Sequence, residues 1–534
     1  MSSTWVVIGG GSAGGLLAAR LSEDPRRSVV LLDKGPDHGA DGLPAHARYV
    51  FMASARDVPG CPAAEPGELM AKVAEAFTQY RATAARRPIS IARGEMIGGS
   101  SQLNAAIYLW GAPADYDEWA ARGNPGWAYR DVQPTLASLE TDTDYPSSPH
   151  GESGPIQVSR SPVADWLPLA RAFGAACASL GHAPVTDFND GAPEGYGPTP
   201  FNQLRGVRYG AAVAFLTAEV RRRPNLRIVG GAEVVRVVFE RGRAVGVDHR
   251  TAAGVERLAA DHTIVSAGAI GSPLLLLRSG VGPADQLRAC GVPLVHASEG
   301  VGAGVQDHPC INLTWRLRDG ADRTIPTHPY QASLRYTAHG SRHALDAQMN
   351  VLPIGYFVDE HGRLRFNHGV VGVATHLYYA LSRGALRLDP RAIDGPPRLD
   401  YRLLSHPEDL ARMRAIVRHA FELAAQPSMR ELLVEPERLG GCDGELTAAE
   451  AARDDALDDY LLDHVGTGQH VSATCRMGPA GDPGAVVDPL GRVHGAQGLW
   501  VIDASIMPTC IRANTNATTM MVAEHIFRRS LSQL

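Results

Sequence analysis

The chain has 534 residues, 44% of them hydrophobic and 20% charged, and a net charge of −6. That length exceeds a single core and predicts two structural domains, while the mild acidity excludes a general nucleic-acid or membrane-surface binder. No apolar run is long enough for a membrane span, so none is expected. The seven cysteines are scattered without a C-x-x-C pair, which argues for a reducing compartment and against a zinc site. The first strand begins at once and leaves no room for a signal peptide, so the expected location is the cytoplasm.

In chain order, Trp5 to Ile8 reads as a buried parallel strand. Gly9, Gly11 and Gly14 then form G-x-G-x-x-G, followed by Leu16, Leu17, Ala18, Ala19 and Leu21 at helical spacing. A second apolar run, Val29 to Leu32, ends in Asp33, nineteen residues beyond Gly14. Strand, tight turn, helix, strand and acid in this order predict a dinucleotide site. The glycines let backbone N–H groups approach a pyrophosphate at the helix N-terminus, and Asp33 is placed to accept from a ribose hydroxyl.

After Gly35 the text is loop-like through Gly67, and a helix is expected from about Glu68 to Arg86. A glycine-rich segment occupies Ala92 to Gly111. Residues 112–205 mix helices with Pro, Gly and Asp turns, as suits a peripheral domain. From Gly206 the α/β texture returns: a helix over Ala211 to Val220, strands at Leu226–Val229, Val234–Phe239, Ala244–Val247 and Thr263–Ser266, and a Pro-started helix over Pro273–Leu277 capped by Ser272. The cations Arg221 to Arg223 read as a helix end. Residues 311–463 form a second insertion rich in β-like alternation, and the chain closes with a strand at Leu499–Ile502 and a helix at Thr515–Phe527. The fold class is therefore α/β, α+β overall: a Rossmann-like cofactor domain built from residues 1–35, 89–111, 206–310 and 464–534. A substrate domain with an antiparallel sheet and helices comes from 112–205 and 311–463, and 36–88 is a loop or lid with a helical connection.

Four further segments are similar to the signatures of the glucose–methanol–choline (GMC) oxidoreductases, flavoproteins that oxidise alcohols. Gly94, Gly98-Gly99, Ser100-Ser101, Leu103, Asn104, Tyr108 and Gly111 resemble the first signature, with Glu95 where the family has Arg, Lys or Asn. Gly268 to Gly282, GAIGSPLLLLRSGVG, matches the second at every constrained position. Gly300-Val301-Gly302 through Asp307-His308-Pro309 looks like G-V-G-x-N-L-x-D-H-P, with Gly304 replacing Asn. Finally, Gln469 to Gly478 resembles H-P-x-G-T-C-x-M-G, and Asp503-Ala504-Ser505 precedes Asn514-Thr515-Asn516.

The resemblance implies bound FAD. It places Gly9, Gly11, Ser12, Ala13, Gly14, Asp33 and Lys34 against it, with Gly98, Gly99, Ser101, Asn104, Ala105, Ala106 and Ile107. Val234, Ala267, Asp503, Ala504, Thr515 and Asn516 complete the implied set. It also implies His470 as the base and Asn514 as its partner, in oxidation of a primary alcohol to the aldehyde with hydride passing to flavin N5. An FAD-containing lyase cleaving hydroxynitriles is the alternative of the same fold, and a dehydrogenase using soluble NAD is the alternative without flavin. Relatives that tie FAD through a histidine carry it where this chain has Ile91, so non-covalent FAD is expected.

His308 reads as structural, Cys475 as no nucleophile, and no metal is expected. His376, Tyr378 and Tyr379 lie in a tract resembling the substrate side. The His–Asn pairing occurs in relatives acting on choline, furan and aryl alcohols and glycol ethers, while the similar pyridoxine oxidases are not favoured by Asn514. The acceptor is O2 or a quinone or similar compound. Gly468 is expected to leave open space near the flavin, which hints at an acceptor other than O2. The partner implied is a small alcohol, and oligomeric state is not legible.

Overall fold

A computed structural model describes residues 3–50, 77–324, 326, 328–358, 364–367, 369–440 and 444–534. Its organising element is a five-stranded sheet in the order Leu226–Val229, Arg27–Leu32, Ser3–Ile8, His262–Val265 and Leu499–Val501, with every pair parallel. Near-continuous apolar strands such as Val29–Leu32 suit a sheet buried on both faces, and Trp5, Val6 and Val7 have no exposed surface. The helix Ser12–Leu21 follows the first strand and packs against the closing helix Thr515–Arg529. Strands from the beginning, middle and end of the chain thus finish along one edge, and the carboxyl edge of such a sheet is where ligands bind.

A second sheet of six antiparallel strands stands beside it. Its order is Gly466–Thr467, Pro309–Arg316, Val370–Leu377, Ala347–Leu352, Ala332–Tyr336 and Gly195–Pro198. The long helix Pro407–Ala424 covers one face, with Trp315 meeting Phe421 edge-on at 5.9 Å. Because side chains alternate, Ile311, Leu313 and Trp315 share that covered face, and Cys310, Asn312 and Thr314 share the other. The α/β reading, with an antiparallel sheet in the later half, holds.

Three local expectations do not. Of the helix expected over 68–86, residues 68–76 lie outside the described residues, and Phe77–Thr83 is a strand pairing antiparallel with Pro88–Gly94. Its aromatic and β-branched members satisfy their backbone in a hairpin, and Pro88 starts the return strand. The helix expected over Ala211–Val220 breaks into Ala211–Ala214 and Ala218–Arg221, because Thr217 caps a new start by accepting from Val220 N at 3.3 Å. The Pro273 helix begins earlier, running Gly268–Arg278, and Ser272 is not its cap; the Ser272 hydroxyl instead accepts from Ala267 N at 3.0 Å and donates to Asp503 Oδ2.

Candidate active site

The first turn is built by close approach. A Cβ on Gly14 would lie 1.9 Å from the carbonyl oxygen of Gly9, so only glycine lets the helix start here. Gly99, at φ +53°, touches Gly11 so closely that its Cβ would fall 2.8 Å from the Gly11 Cα, which brings two loops 88 residues apart into contact. The helix beginning at Ser12 has no side-chain cap and no acid in its first turn. The closing helix likewise has Asn514 at its cap position without a capping hydrogen bond. Ser12 Oγ donates to Asn516 Oδ1 at 2.8 Å, so both helix N-termini meet, with their uncapped N–H groups and positive dipole ends side by side. Asn516 Nδ2 is buried without a partner.

Of the implied cofactor residues, Gly11, Ser12, Asn104, Ala105, Val234, Ala504, Thr515 and Asn516 are half-buried and Ala267 is exposed, a part-exposed seam beside buried neighbours such as Ala13, Gly14 and Ala517. Several implied cofactor residues also brace the surrounding backbone. Ser101 is fully buried, donating to Gly98 O at 2.6 Å and accepting from Ala211 N at 2.8 Å. Asp33 accepts from Gly10 N at 2.7 Å and Gly35 N at 2.8 Å, while desolvation pushes its carboxyl up to about 6. Asp503 accepts from Gly268 N and Ser505 N, and its burial also raises its pKa. Lys34 pairs with Glu95 at 2.8 Å, so the position that departs from the family signature forms an ion pair at the end of the second strand. Asn104 Oδ1 accepts from Ala106 N and from the buried Arg208, a residue the sequence reading missed. Ala13 and Ile107 are buried on either side of the seam, and Gly98 turns at φ +100°.

At the far end of the seam the two implied catalytic side chains meet. Asn514 Nδ2 donates to His470 Nε2 at 3.1 Å, and Tyr378 Oη donates to Asn514 Oδ1 at 3.2 Å. His470 Nδ1 lies 2.9 Å from His308 Nδ1, and His308 Nε2 lies 2.8 Å from the carbonyl oxygen of Ile511. Asp307 ties the two loops together. Its Oδ1 accepts from the backbone N–H of His308 at 2.7 Å and of His470 at 2.9 Å, and Thr467 Oγ1 donates to its Oδ2. Burial, followed by the neighbouring His308, His376 and Arg93, holds the His470 imidazole well below its ordinary pKa. Burial likewise lowers His308 to about 3 and His376 to about 4. All three rings are therefore neutral near pH 7, and a neutral imidazole is a base.

One expectation changes here and another gains detail. His308, read as structural, hydrogen-bonds His470 directly; its signal in sequence is the D-H-P tripeptide, whose aspartate anchors both histidine loops. Gly468 does not leave open space, because a Cβ there would lie 2.9 Å from His470 Nδ1 and 3.2 Å from the Cβ and O of His308. The hint drawn from it about the acceptor falls with it. Cys475 is fully buried and its thiol is pushed up by burial, in keeping with no nucleophilic role.

The uncovered face of the six-stranded sheet closes the site. Register sets Cys310, His376, Gln348 and Arg335 in one row across four strands. His376 sits 6.5 Å from His470, ring to ring. Gln348 Oε1 and His376 Nδ1 are buried without partners. Arg335 is fully buried and donates to backbone carbonyls of Phe188 and Arg512, with no ion-pair partner among the described residues. Among the described residues, the nearby acids are engaged: Asp115 with Arg512, Glu118 with Tyr379, and Asp307 with the backbone as above. Tyr379 lies under Arg512, its ring 4.1 Å from the guanidinium carbon. Alternation alone reveals that such strands have two faces, but not which one the active site occupies.

One group outside the site has metal-ligand chemistry. Glu140, Asp142 and His150 are buried with their donor atoms within 4.8 Å of one another. Two cations already sit among the acids there: His150 bridges Glu140 at 2.6 Å and Asp187 at 2.7 Å, and Arg160 pairs with Asp142 and Asp187. No described helix is long and apolar enough to cross a membrane.

A family model described as GMC oxidoreductase matches residues 4–310, and a second of the same description matches 380–523. A 5-(hydroxymethyl)furfural oxidase from Methylovorus sp. (strain MP688) is 33% identical over 544 residues, covering 99% of this chain and 98% of its own. An oxygen-dependent choline dehydrogenase from Pseudomonas aeruginosa (strain LESB58) is 34% identical over 561 residues, covering 98% and 94%. Among solved structures, pyridoxine 4-oxidase from Mesorbium loti superposes with a TM-score of 0.85 at 28% identity, covering 99% of both chains.

Proposed function

The chain belongs to the GMC oxidoreductases, FAD-dependent enzymes that act on alcohols, and from that premise we propose that it oxidises a primary alcohol to the aldehyde with His470 as base. The observation that carries the reading is the meeting of His470 Nε2 and Asn514 Nδ2, 3.1 Å apart, at one end of a seam that opens along two uncapped helix N-termini.

The seam suits FAD on its own chemistry. Uncapped N–H groups at Ser12 and Thr515 fit phosphate and ring oxygens, Gly11 and Gly99 leave room for close approach, and the unpartnered Asn516 Nδ2 offers a donor. Gly9, Gly11, Ser12, Ala13 and Gly14 would hold the pyrophosphate end, with Asp33 and Lys34 at the ribose and Val234 at the adenine. Gly98, Gly99, Asn104, Ala105, Ala106, Ile107, Ala267, Ala504, Thr515 and Asn516 would line the rest, braced by Ser101 and Asp503. FAD bound there supplies an acceptor for the hydride that leaves the carbinol carbon.

The protein's own groups handle the oxygen. His470 Nε2 takes the hydroxyl proton, and Asn514 Nδ2 donates to the same oxygen, orienting it and stabilising the charge that grows on it. Tyr378 keeps the Asn514 carbonyl turned away, so that the amide N–H faces the reaction. Ile91, buried in the strand Pro88–Gly94, offers no atom for a covalent link, so the FAD is dissociable. The named substrates of the relatives are 5-(hydroxymethyl)furfural, choline and pyridoxine. Here the acids near the site are engaged while Arg335 has backbone partners but no ion-pair partner among the described residues, which favours a neutral alcohol over a quaternary ammonium one.

Purified protein should show flavin absorbance, release its flavin on acid precipitation, and bleach near 450 nm when mixed anaerobically with a suitable primary alcohol. His470→Gln should slow that bleaching by roughly 10²-fold or more with FAD retained. Flavin that no alcohol reduces would point to the lyase alternative, and near-normal bleaching in His470→Gln would remove the base assignment. Readmitting air to the reduced enzyme then separates O2 from another acceptor.

A further inference from the structure

We propose that His308 is a positioning residue that fixes the tautomer of His470, leaving the Nε2 lone pair pointed at Asn514 and the alcohol. The inference rests on the reading of His470 as base and adds what makes the correct nitrogen basic.

The hydrogen-bond chain is anchored at a carbonyl. The backbone oxygen of Ile511 can only accept, and it lies 2.8 Å from His308 Nε2. That nitrogen therefore carries a hydrogen. A neutral imidazole has one N–H, so His308 Nδ1 is bare and can only accept. His470 Nδ1, 2.9 Å away, must then be the donor. His470 is neutral as well, so its single hydrogen is on Nδ1 and Nε2 holds a free lone pair. The opposite end of the chain fits the same assignment. Tyr378 Oη donates to the Asn514 carbonyl, and the NH2 end faces His470 Nε2 at 3.1 Å, where a bare nitrogen accepts. The Cys510 thiol, 3.1 Å from His308 Nε2, is satisfied in the same arrangement by donating to His470 O.

The reverse assignment fails at the carbonyl end. With Nε2–H on His470, His308 would turn a lone pair toward the Ile511 carbonyl, and the Asn514 amide would have to turn over. Of the other groups facing the pair, Asp307 is occupied by backbone N–H groups, His376 is a neutral ring, and Arg93 acts on His470 only as a nearby charge; the Tyr378 backbone carbonyl, like that of Ile511, can only accept and adds to the demand for a hydrogen on His308.

The test uses the FAD-loaded enzyme and three variants. His308→Leu removes the acceptor for His470 Nδ1–H and should slow flavin reduction at saturating alcohol by roughly 10²-fold, with KM and FAD content little changed. His308→Asn, which keeps an oxygen acceptor near the place of Nδ1, should recover at least a tenth of the native rate. Full-rate reduction in His308→Leu, or His308→Asn as slow as His308→Leu, overturns the proposal. His470→Gln separates the two levels: a fast His470→Gln sinks the base reading, whereas a slow one beside a fast His308→Leu sinks only the tautomer role. Should His308→Leu fail to fold, long-range 1H–15N correlation on native protein labelled at histidine decides the matter, with His470 assigned by its loss in His470→Gln. The Nδ1–H pattern is expected, and an Nε2–H pattern overturns the proposal.

Discussion

Gly468→Ala distinguishes a glycine that leaves space from one that packing demands. The backbone at this position is not in the left-handed region, so an alanine introduces no backbone strain. What it introduces is a methyl 2.9 Å from His470 Nδ1 and 3.2 Å from both the Cβ and the carbonyl oxygen of His308. Ordinary contact begins at about 3.5 Å, so the His470 ring must retreat by roughly half an ångström, and the His308 main chain by less. Neither ring is free to do so cheaply. His470 is held through Asp307 and Asn514, and His308 through Asp307 and Ile511.

The added methyl should therefore cost about 1–3 kcal/mol of stability. More tellingly, it should lengthen the bond between the histidines and lower the rate of anaerobic flavin reduction by about 10-fold or more. Stopped-flow bleaching near 450 nm measures the effect, with FAD content and thermal melting as controls. An unchanged reduction rate, accompanied by altered re-oxidation in air, would refute the packing argument and restore the view of Gly468 as open space beside the flavin.

Tyr378→Phe deletes the hydroxyl that holds the Asn514 carbonyl, and should lower kcat/KM by about 3- to 10-fold through loss of one hydrogen bond while FAD stays bound; an unchanged value in steady-state assays would show that the amide needs no such hold. The buried His150 supplies a pH signature. Burial opposes its charge, but hydrogen bonds from its two ring nitrogens to Asp187 and Glu140 override this and raise its pKa to about 10. A folded-state pKa raised above the ordinary value of about 6.5 means stability that is fully present below pH 6.5 and lost as pH climbs through 10. The melting temperature should accordingly fall across that interval. His150→Gln should melt lower than the native protein at pH 6.5 and lose most of that slope, and a variant with the native slope would show that the charge resides elsewhere.

The parts of this protein legible in its sequence are those where chemistry forces a local pattern. Gly14 can be nothing else when its Cβ would fall 1.9 Å from a carbonyl oxygen, and Val29–Leu32 reads as a strand because a parallel sheet hides both its faces. The strand Phe77–Thr83 is not legible as one because its identity comes from a partner strand, beyond what its own propensities reveal. Bracing contacts are hidden for a related reason. Ser101 and Asp503 lie inside signature segments, yet that the hydroxyl also holds Gly98 and the carboxylate also holds Gly268 is settled by tertiary packing.

The pairing of His308 with His470 lies furthest from sequence, since the two rings are 162 residues apart and meet only because Asp307 accepts from both of their backbones. That anchoring also explains why two neutral rings can sit so close in a dry interior. Each hydrogen-bonds in one direction only, from Tyr378 through Asn514 at one end and toward the Ile511 carbonyl at the other, so the interior never has to hold a charge until the alcohol's proton arrives.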